Sequence, residues 1–205
     1  MIAVIDYGMG NLGSIANMLR KIGAPAVVTA QRESIERADG LILPGVGSFD
    51  AGMRSLSQTG LVPLLRDLVV ERKRPILGIC LGLQLLTRNS EEGEHSGLGW
   101  LDAETVRFRV GPADGLRIPH MGWRHIRLLR SSPLLTGFAE TPRFYFVHSY
   151  HLACRNAGDV LATAEYGYHF AAAVATGNIM GTQFHPEKSH RWGMRLLRNF
   201  VELIQ

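Results

Sequence analysis

The chain has little cysteine: two residues, Cys80 and Cys154, stand far apart in 205 positions and form no C-x-x-C pair. That spacing argues against a structural zinc site or a disulfide framework and leaves a free, reactive thiol as the open use of either residue. The sequence also lacks an apolar run long enough to span a bilayer. It has no basic-then-apolar leader, since the first apolar stretch ends at Asp6. No phosphate loop of the G-x-x-x-x-G-K-[ST] kind is present, and no repeat, linker or low-complexity segment divides the chain. The expectation is one cytoplasmic domain over residues 1–205, with no metal and no cofactor. A domain of this size buries about 70% of its unfolded surface.

Charge of neither sign dominates, the net value being +4. The excess is largely arginine: Arg107, Arg109, Arg117, Arg124, Arg127 and Arg130 in the middle, and Arg191, Arg195 and Arg198 near the end. This pattern suits a solvated basic face or a docking surface for an acidic partner. It does not suit nucleic acid, because no aromatic interleaving or known binding module accompanies it. No membrane association is expected either.

Residues 1 to about 90 alternate short apolar runs with helical patterns. Strands are predicted at 2–6, 25–29, 41–43 and 75–79, and helices at 12–22, 33–38, 49–57, 61–72 and 81–89. Such alternation implies right-handed crossovers and a parallel sheet covered by helices on both faces. From about residue 98 the pattern changes to strand-like segments broken by turn residues, among them "RFYFVHSYHLA", "FAAAVATG" and "NIMGTQF". This half is predicted to be largely β, antiparallel or mixed, with a closing helix at 189–203. The fold class is therefore α/β: an open, mostly parallel mixed sheet with helices on both faces and extra antiparallel strands in the second half.

Gly8, Gly10 and Gly13 spell G-x-G-x-x-G after the first strand, the form of a dinucleotide-binding turn. The acidic residue that should follow on the second strand is missing, since "APAVVTA" runs into Gln31 and Arg32. The pattern alone leaves the question open.

The chemistry is concentrated elsewhere. In "RPILGICLGLQLL" a strand meets a helix at Cys80, flanked by Gly78 and Gly82, which gives G-x-C-x-G. This is the form of a nucleophile elbow, in which small residues two before and two after permit the sharp turn that exposes a nucleophile. The helix N-terminus favours thiolate, and the N–H of the next residue, Leu81, can donate to an oxyanion. A cysteine nucleophile needs a base, and the base needs an orienting group. "GTQFHPEKS" offers both: His185 at a strand end, restrained by Pro186, with Glu187 two residues on.

"GICLG" with "HPEKS" resembles the class I, triad-type glutamine amidotransferases, whose fold is flavodoxin-like. "DYGMGNLGS", "LPGVGSF" at 43–49, "SEEG" at 90–93, "PHMGW" at 119–123 and "FVHSY" at 146–150 extend the resemblance over nearly the whole chain, to the glutaminase subunits of imidazole glycerol phosphate synthase. The resemblance implies a catalytic triad of Cys80, His185 and Glu187. It implies an oxyanion site at Gly45, Val46 and Gly47 with the N–H of Leu81, and glutamine-binding positions at Gln84, Ser149 and Tyr150. It further implies a partner, the (β/α)8 cyclase subunit, docked over Asn11, His120, Met121, Trp123 and Tyr145, with Tyr145 near the ammonia exit. In such enzymes the glycine turn after the first strand belongs to the scaffold and the interface, and no dinucleotide is implied.

Two features depart from the pattern: Arg124 stands where asparagine usually follows the tryptophan, and Trp100 occurs in "GLGW". They bear on the partner and not on the glutaminase chemistry. An alternative is thus a paralogous glutaminase that supplies ammonia for amination of a surface-polysaccharide sugar. A non-catalytic flavodoxin-like binding module is a third reading, one that retention of Cys80, His185 and Glu187 argues against.

Overall fold

The computed structural model describes residues 1–204. Five parallel strands form the centre of the main sheet, in the order β2 (Ala26–Thr29), β1 (Ile2–Ile5), β3 (Gly40–Leu43), β4 (Ile76–Ile79) and β12 (Ile179–Thr182). Beyond β12 the sheet continues antiparallel through β11 (Tyr168–Thr176), β10 (Val160–Tyr166) and β7 (Arg127–Leu128). A side branch leads from β11 through β9 (Tyr150–Cys154) to β5 (Ala103–Arg107). β6 (His120–His125) and β8 (Arg143–His148) pair as a separate antiparallel ribbon. The mixed α/β class expected from the sequence is the class observed.

The central strands are apolar throughout because both of their faces are covered. Along β1, Ile2 and Val4 join a core with Ile15 and Leu19 of α1 (Leu12–Lys21) and with Leu196, Leu197 and Phe200 of α6 (His190–Leu203). Ala3 and Ile5 point the other way. They pack with Ile35 of α2 (Arg32–Glu36), with Phe49 and Met53 of α3 (Phe49–Gln58), with Leu64 of α4 (Val62–Arg66) and with Leu83 of α5 (Leu81–Leu85). Each such large side chain contributes roughly 1.5–3 kcal/mol by leaving water. Among the described residues no helix is long and apolar enough to cross a membrane.

Two predicted helices are shorter than their sequence pattern. The 61–72 segment is α-helical only to Arg66 and finishes as a π-turn, Asp67–Glu71. The 81–89 helix stops at Leu85 because its carbonyls find other partners. The Thr87 hydroxyl donates to Gln84 O at 2.7 Å, and the returning chain donates from Leu98 N to Leu85 O at 2.8 Å and from Leu101 N to Leu86 O at 2.9 Å. The strand-like run "NIMGTQF" likewise leaves its ladder at Thr182.

This topology puts three chain turns side by side. In register, Leu43 of β3 lies beside Gly78 of β4, and Ile79 of β4 beside Thr182 of β12. The residues just beyond those strand ends, Gly45, Cys80 and His185, therefore emerge at one edge, the carboxyl edge where open α/β sheets bind ligands.

Candidate active site

Cys80 stands between β4 and α5 with φ 53° and ψ −109°, a region a non-glycine residue enters only when its surroundings force it. Its N–H donates to Thr182 O at 2.8 Å, which ties the turn to β12. The flanking glycines are demanded by proximity. A Cβ on Gly82 would lie 1.8 Å from Leu43 O, and one on Gly78 would lie 2.7 Å from the Leu83 Cα. The strain and these close approaches are the structural content of the G-x-C-x-G pattern.

His185 Nδ1 donates to Glu187 Oε1 at 2.8 Å, and both side chains are only 2% exposed. That bond assigns the second ring nitrogen, Nε2, to the side that faces the cysteine; it is buried and has no partner among the described residues at ordinary hydrogen-bond geometry. Burial alone would lower the imidazole pKa, but the neighbouring Cys80 sulfur and then the hydrogen-bonded Glu187 carboxylate outweigh it and hold His185 at about 10. The loop is stapled from behind: Tyr145 N donates to Ser189 Oγ at 3.0 Å, Ser189 Oγ donates to His185 O at 2.6 Å, and His185 N donates to Tyr145 O at 3.0 Å.

Cys80 and His185 open into a cavity of about 250 Å³ that also takes in Val46, Gly47, Leu81, Gln84, Glu92, Pro119 and the 147–150 segment. This is small beside the ~300–1,000 Å³ of drug-sized sites and suits a ligand of amino-acid size. Of the oxyanion candidates, Val46, Gly47 and Leu81 line the cavity. Gly45 is buried behind them, where a Cβ would strike Gly82 N and Leu81 Cβ at 2.8 Å each. Gly47 has φ +110°, a conformation that favours glycine. Leu81 opens α5, so its N–H has no acceptor within the helix.

Gln84, Ser149 and Tyr150, the positions read as glutamine-binding, all border the cavity. Gln84 Nε2 donates to Tyr150 O at 3.1 Å, and His148 Nδ1 donates to the same carbonyl at 2.7 Å. Glu92 is a wall residue to which sequence reasoning gave no role, although it lies within the quoted "SEEG". Its Oε2 accepts from Phe49 N at 2.8 Å, and burial raises its carboxyl pKa against that hydrogen bond. A larger groove of about 1040 Å³ runs along β7 and the 130–142 segment, but Cys80, His185 and Glu187 do not line it.

The residues expected on a docking face divide in two. Met121 is 59% exposed, and Trp123 and Tyr145 are half-buried neighbours across the β6–β8 ribbon. The Trp123 ring stacks on His190 with centroids 5.6 Å apart and planes 7° from parallel. Asn11 is half-buried at the start of α1. His120 is the correction: it has no exposed surface and cannot touch a partner directly. Strand alternation explains this, since a face that presents Met121 and Trp123 sends His120 inward. There it stacks on Tyr166 at 4.2 Å and lies 3.1 Å, Nδ1 to Nε2, from His148.

Gly13 resolves the glycine motif. A dinucleotide turn needs its third glycine for close helix–strand packing, yet a Cβ on Gly13 would meet nothing within 4 Å. Gly10 instead packs on Pro44, behind the Val46–Gly47 loop.

A cysteine on a strained elbow, a charged imidazole tied to a carboxylate and adjacent free backbone donors are the parts of an acyl-transfer site. The profile of the class I glutamine amidotransferase family matches residues 3–203, and the chain belongs to that family. Among curated proteins it is 50% identical over 204 residues to imidazole glycerol phosphate synthase subunit HisH 2 of Pseudomonas aeruginosa, covering 100% of both chains. It is 51% identical over 202 residues to subunit HisH 2 of Methanococcus maripaludis, covering 98% of this chain and 99% of that one. These likenesses place it within the HisH branch of the family. Among solved structures, a glutamine amidotransferase superposes with a TM-score of 0.73 at 23% identity, covering 100% of this chain and 99% of that one; this likeness bears on the fold alone.

Proposed function

We propose that this chain is the glutaminase subunit of an imidazole glycerol phosphate synthase, working in the cytoplasm in histidine biosynthesis. The observation that carries the reading is the placement of Cys80, at positive φ, beside an imidazole whose other nitrogen is held by Glu187 at 2.8 Å.

In this reading the Cys80 sulfur attacks the carboxamide carbon of glutamine. The N–H groups of Leu81 and of the Val46–Gly47 loop receive the developing oxyanion, a role worth roughly 10²–10³ in rate per donor. His185 delivers its Nε2 proton to the leaving nitrogen, the C–N bond breaks, and ammonia departs from a glutamyl thioester. Water, deprotonated by His185, then splits the C–S bond to give glutamate and restore the sulfur. The Glu92 carboxylate and Gln84 Oε1 offer acceptors for the substrate α-ammonium, and the Ser149–Tyr150 turn offers polar groups for its carboxylate.

The ammonia passes to a (β/α)8 cyclase docked over Met121, Trp123, Tyr145 and Asn11. That subunit makes imidazole glycerol phosphate and aminoimidazole carboxamide ribonucleotide. The test is Cys80→Ala in the two-subunit complex: glutamine-dependent product formation is abolished while added ammonium still supports turnover. Substantial glutamine-dependent turnover by this variant contradicts the reading.

A second reading keeps the glutaminase and changes the acceptor to a surface-polysaccharide sugar. Arg124, where asparagine is usual, and Trp100 are the features that permit it; the Arg124 guanidinium sits over the Tyr166 ring at 5.6 Å. Complementation of a strain lacking its histidine-pathway glutaminase separates the two: growth without histidine supports the first and failure supports the second.

A further inference from the structure

Gln183 has no exposed surface, has no part in the triad, and belongs to a buried chain of hydrogen bonds that ends on the nucleophile. Its Nε2 lies 3.7 Å from Cys80 Sγ. Its Oε1 accepts from Gln84 Nε2 at 3.2 Å, and that same Nε2 donates to Tyr150 O at 3.1 Å.

The direction of this chain follows from chemistry. A backbone carbonyl only accepts, so the Gln84 amide must turn its NH₂ toward Tyr150. The atom of Gln183 that meets this NH₂ must then be oxygen, which leaves the Gln183 NH₂ for the sulfur. His148 reinforces the starting point. Its Nδ1 donates to the Tyr150 carbonyl at 2.7 Å, so its neutral ring has a bare Nε2 that accepts from His120 Nδ1 at 3.1 Å. Every amide and imidazole orientation from His120 to Cys80 is thus set by the carbonyl of Tyr150.

We propose that Gln183 is a working part of the nucleophile's site: its side-chain N–H donates to the Cys80 sulfur and favours the thiolate, in an orientation fixed by Gln84 and the Tyr150 carbonyl. An N–H donor stabilises an anionic acceptor far more than a neutral one, and a thiol proton has its own acceptor in Val147 O, 4.0 Å from the sulfur. The inference deepens the glutaminase reading, but its test does not depend on that reading.

The test measures alkylation of Cys80 by iodoacetamide against pH on the purified subunit, with adducts located by peptide mass. Mapping separates Cys80 from Cys154, whose thiol is pushed up to about 11 by burial and by Asp159. The other titratable groups around the sulfur are His185 beyond β12, Tyr7 beyond β1, and Glu92 and His148 across the cavity; all are unchanged in the variants.

Gln183→Met keeps the side-chain length and removes the donor. The alkylation profile is expected to move to higher pH, and glutaminase kcat to fall roughly 10- to 100-fold, the range for one hydrogen bond to a charged group. Gln183→Glu, nearly isosteric and still able to accept from Gln84, puts an acceptor against the sulfur and moves the profile further in the same direction, which covers the case in which the methionine variant fails to fold. A merely structural role would lower the thermal midpoint without moving the alkylation profile. A folded variant of either kind with the parent profile overturns the proposal. A shifted profile in a chain without glutaminase activity would sustain this inference and overturn the function instead.

Discussion

Two regions of the molecule treat the same residue type in opposite ways. At the carboxyl edge of the parallel strands, His185 is held protonated by Cys80 and Glu187 despite its burial. In the antiparallel half, burial drives His120 down to about 4 and lowers His148 and His151 as well, so these rings stay neutral among Phe108, Tyr166 and Phe170. The difference lies in the neighbours. An imidazole beside a sulfur and a carboxylate keeps its proton, whereas imidazoles packed on aromatic rings and on one another serve as directional hydrogen-bond groups. The parallel half supplies the charged pair at the nucleophile; the antiparallel half supplies a buried polar frame behind the wall of the same cavity.

The strongest way to sharpen this contrast is to remove the charged histidine. His185→Asn is expected to reduce glutaminase kcat by roughly 10² to 10⁴, the usual contribution of a positioned acid–base group. Glu187→Gln, which removes orientation and not the proton carrier, reduces it less. Steady-state kinetics on folded variants check the ranking, and the reverse order would mean the roles are exchanged.

Next in size is the elbow. Gly82→Ala drives a methyl group into Leu43 O and is expected to destabilise the fold by about 1–3 kcal/mol. Gly13→Ala, in open space on α1, is neutral or stabilises by up to ~1 kcal/mol. Thermal unfolding of the two variants measures the difference; equal effects would show that the close approach at Gly82 is relaxed in solution.

The parallel half was largely legible from sequence because its strands are covered on both faces and so read as continuous apolar runs, and because Gly78, Cys80 and Gly82 lie within five residues. His185 and Glu187 were legible for the same reason, being two residues apart. What was missed depends on distant contacts. Glu92 becomes a cavity wall through Phe49, 43 residues away, and Gln183 reaches Cys80 across 103 residues. The early stop of α5 depends on a chain segment that returns more than ten residues later to take its carbonyls. His120 was the exception, since alternation within "PHMGW" already separated it from Met121 and Trp123.

The smallest expected effect is on stability against pH, and it separates the two regions directly. His120, His148 and His151 bind a proton more readily unfolded than folded, so their contribution is complete above pH 6.5 and is lost as pH falls below it, for His120 through about 4. His185 has the opposite sign: its contribution is complete below pH 6.5 and is lost as pH rises through about 10. Thermal midpoints are expected to be highest near neutrality and to fall by several degrees on each side. A midpoint that rose steadily toward pH 5 would contradict the neutral cluster, and one that rose steadily toward pH 10 would contradict the charged His185.

The central claim, that Cys80 is the nucleophile of a glutaminase, is tested most directly by covalent trapping. The subunit is treated with a glutamine analogue that carries an electrophile in place of the carboxamide, and the adduct is located by mass spectrometry. The account predicts one adduct on Cys80, prevented by excess glutamine, with Cys154 unmodified. An adduct mainly on Cys154, or labelling of Cys80 that glutamine does not prevent, would contradict it.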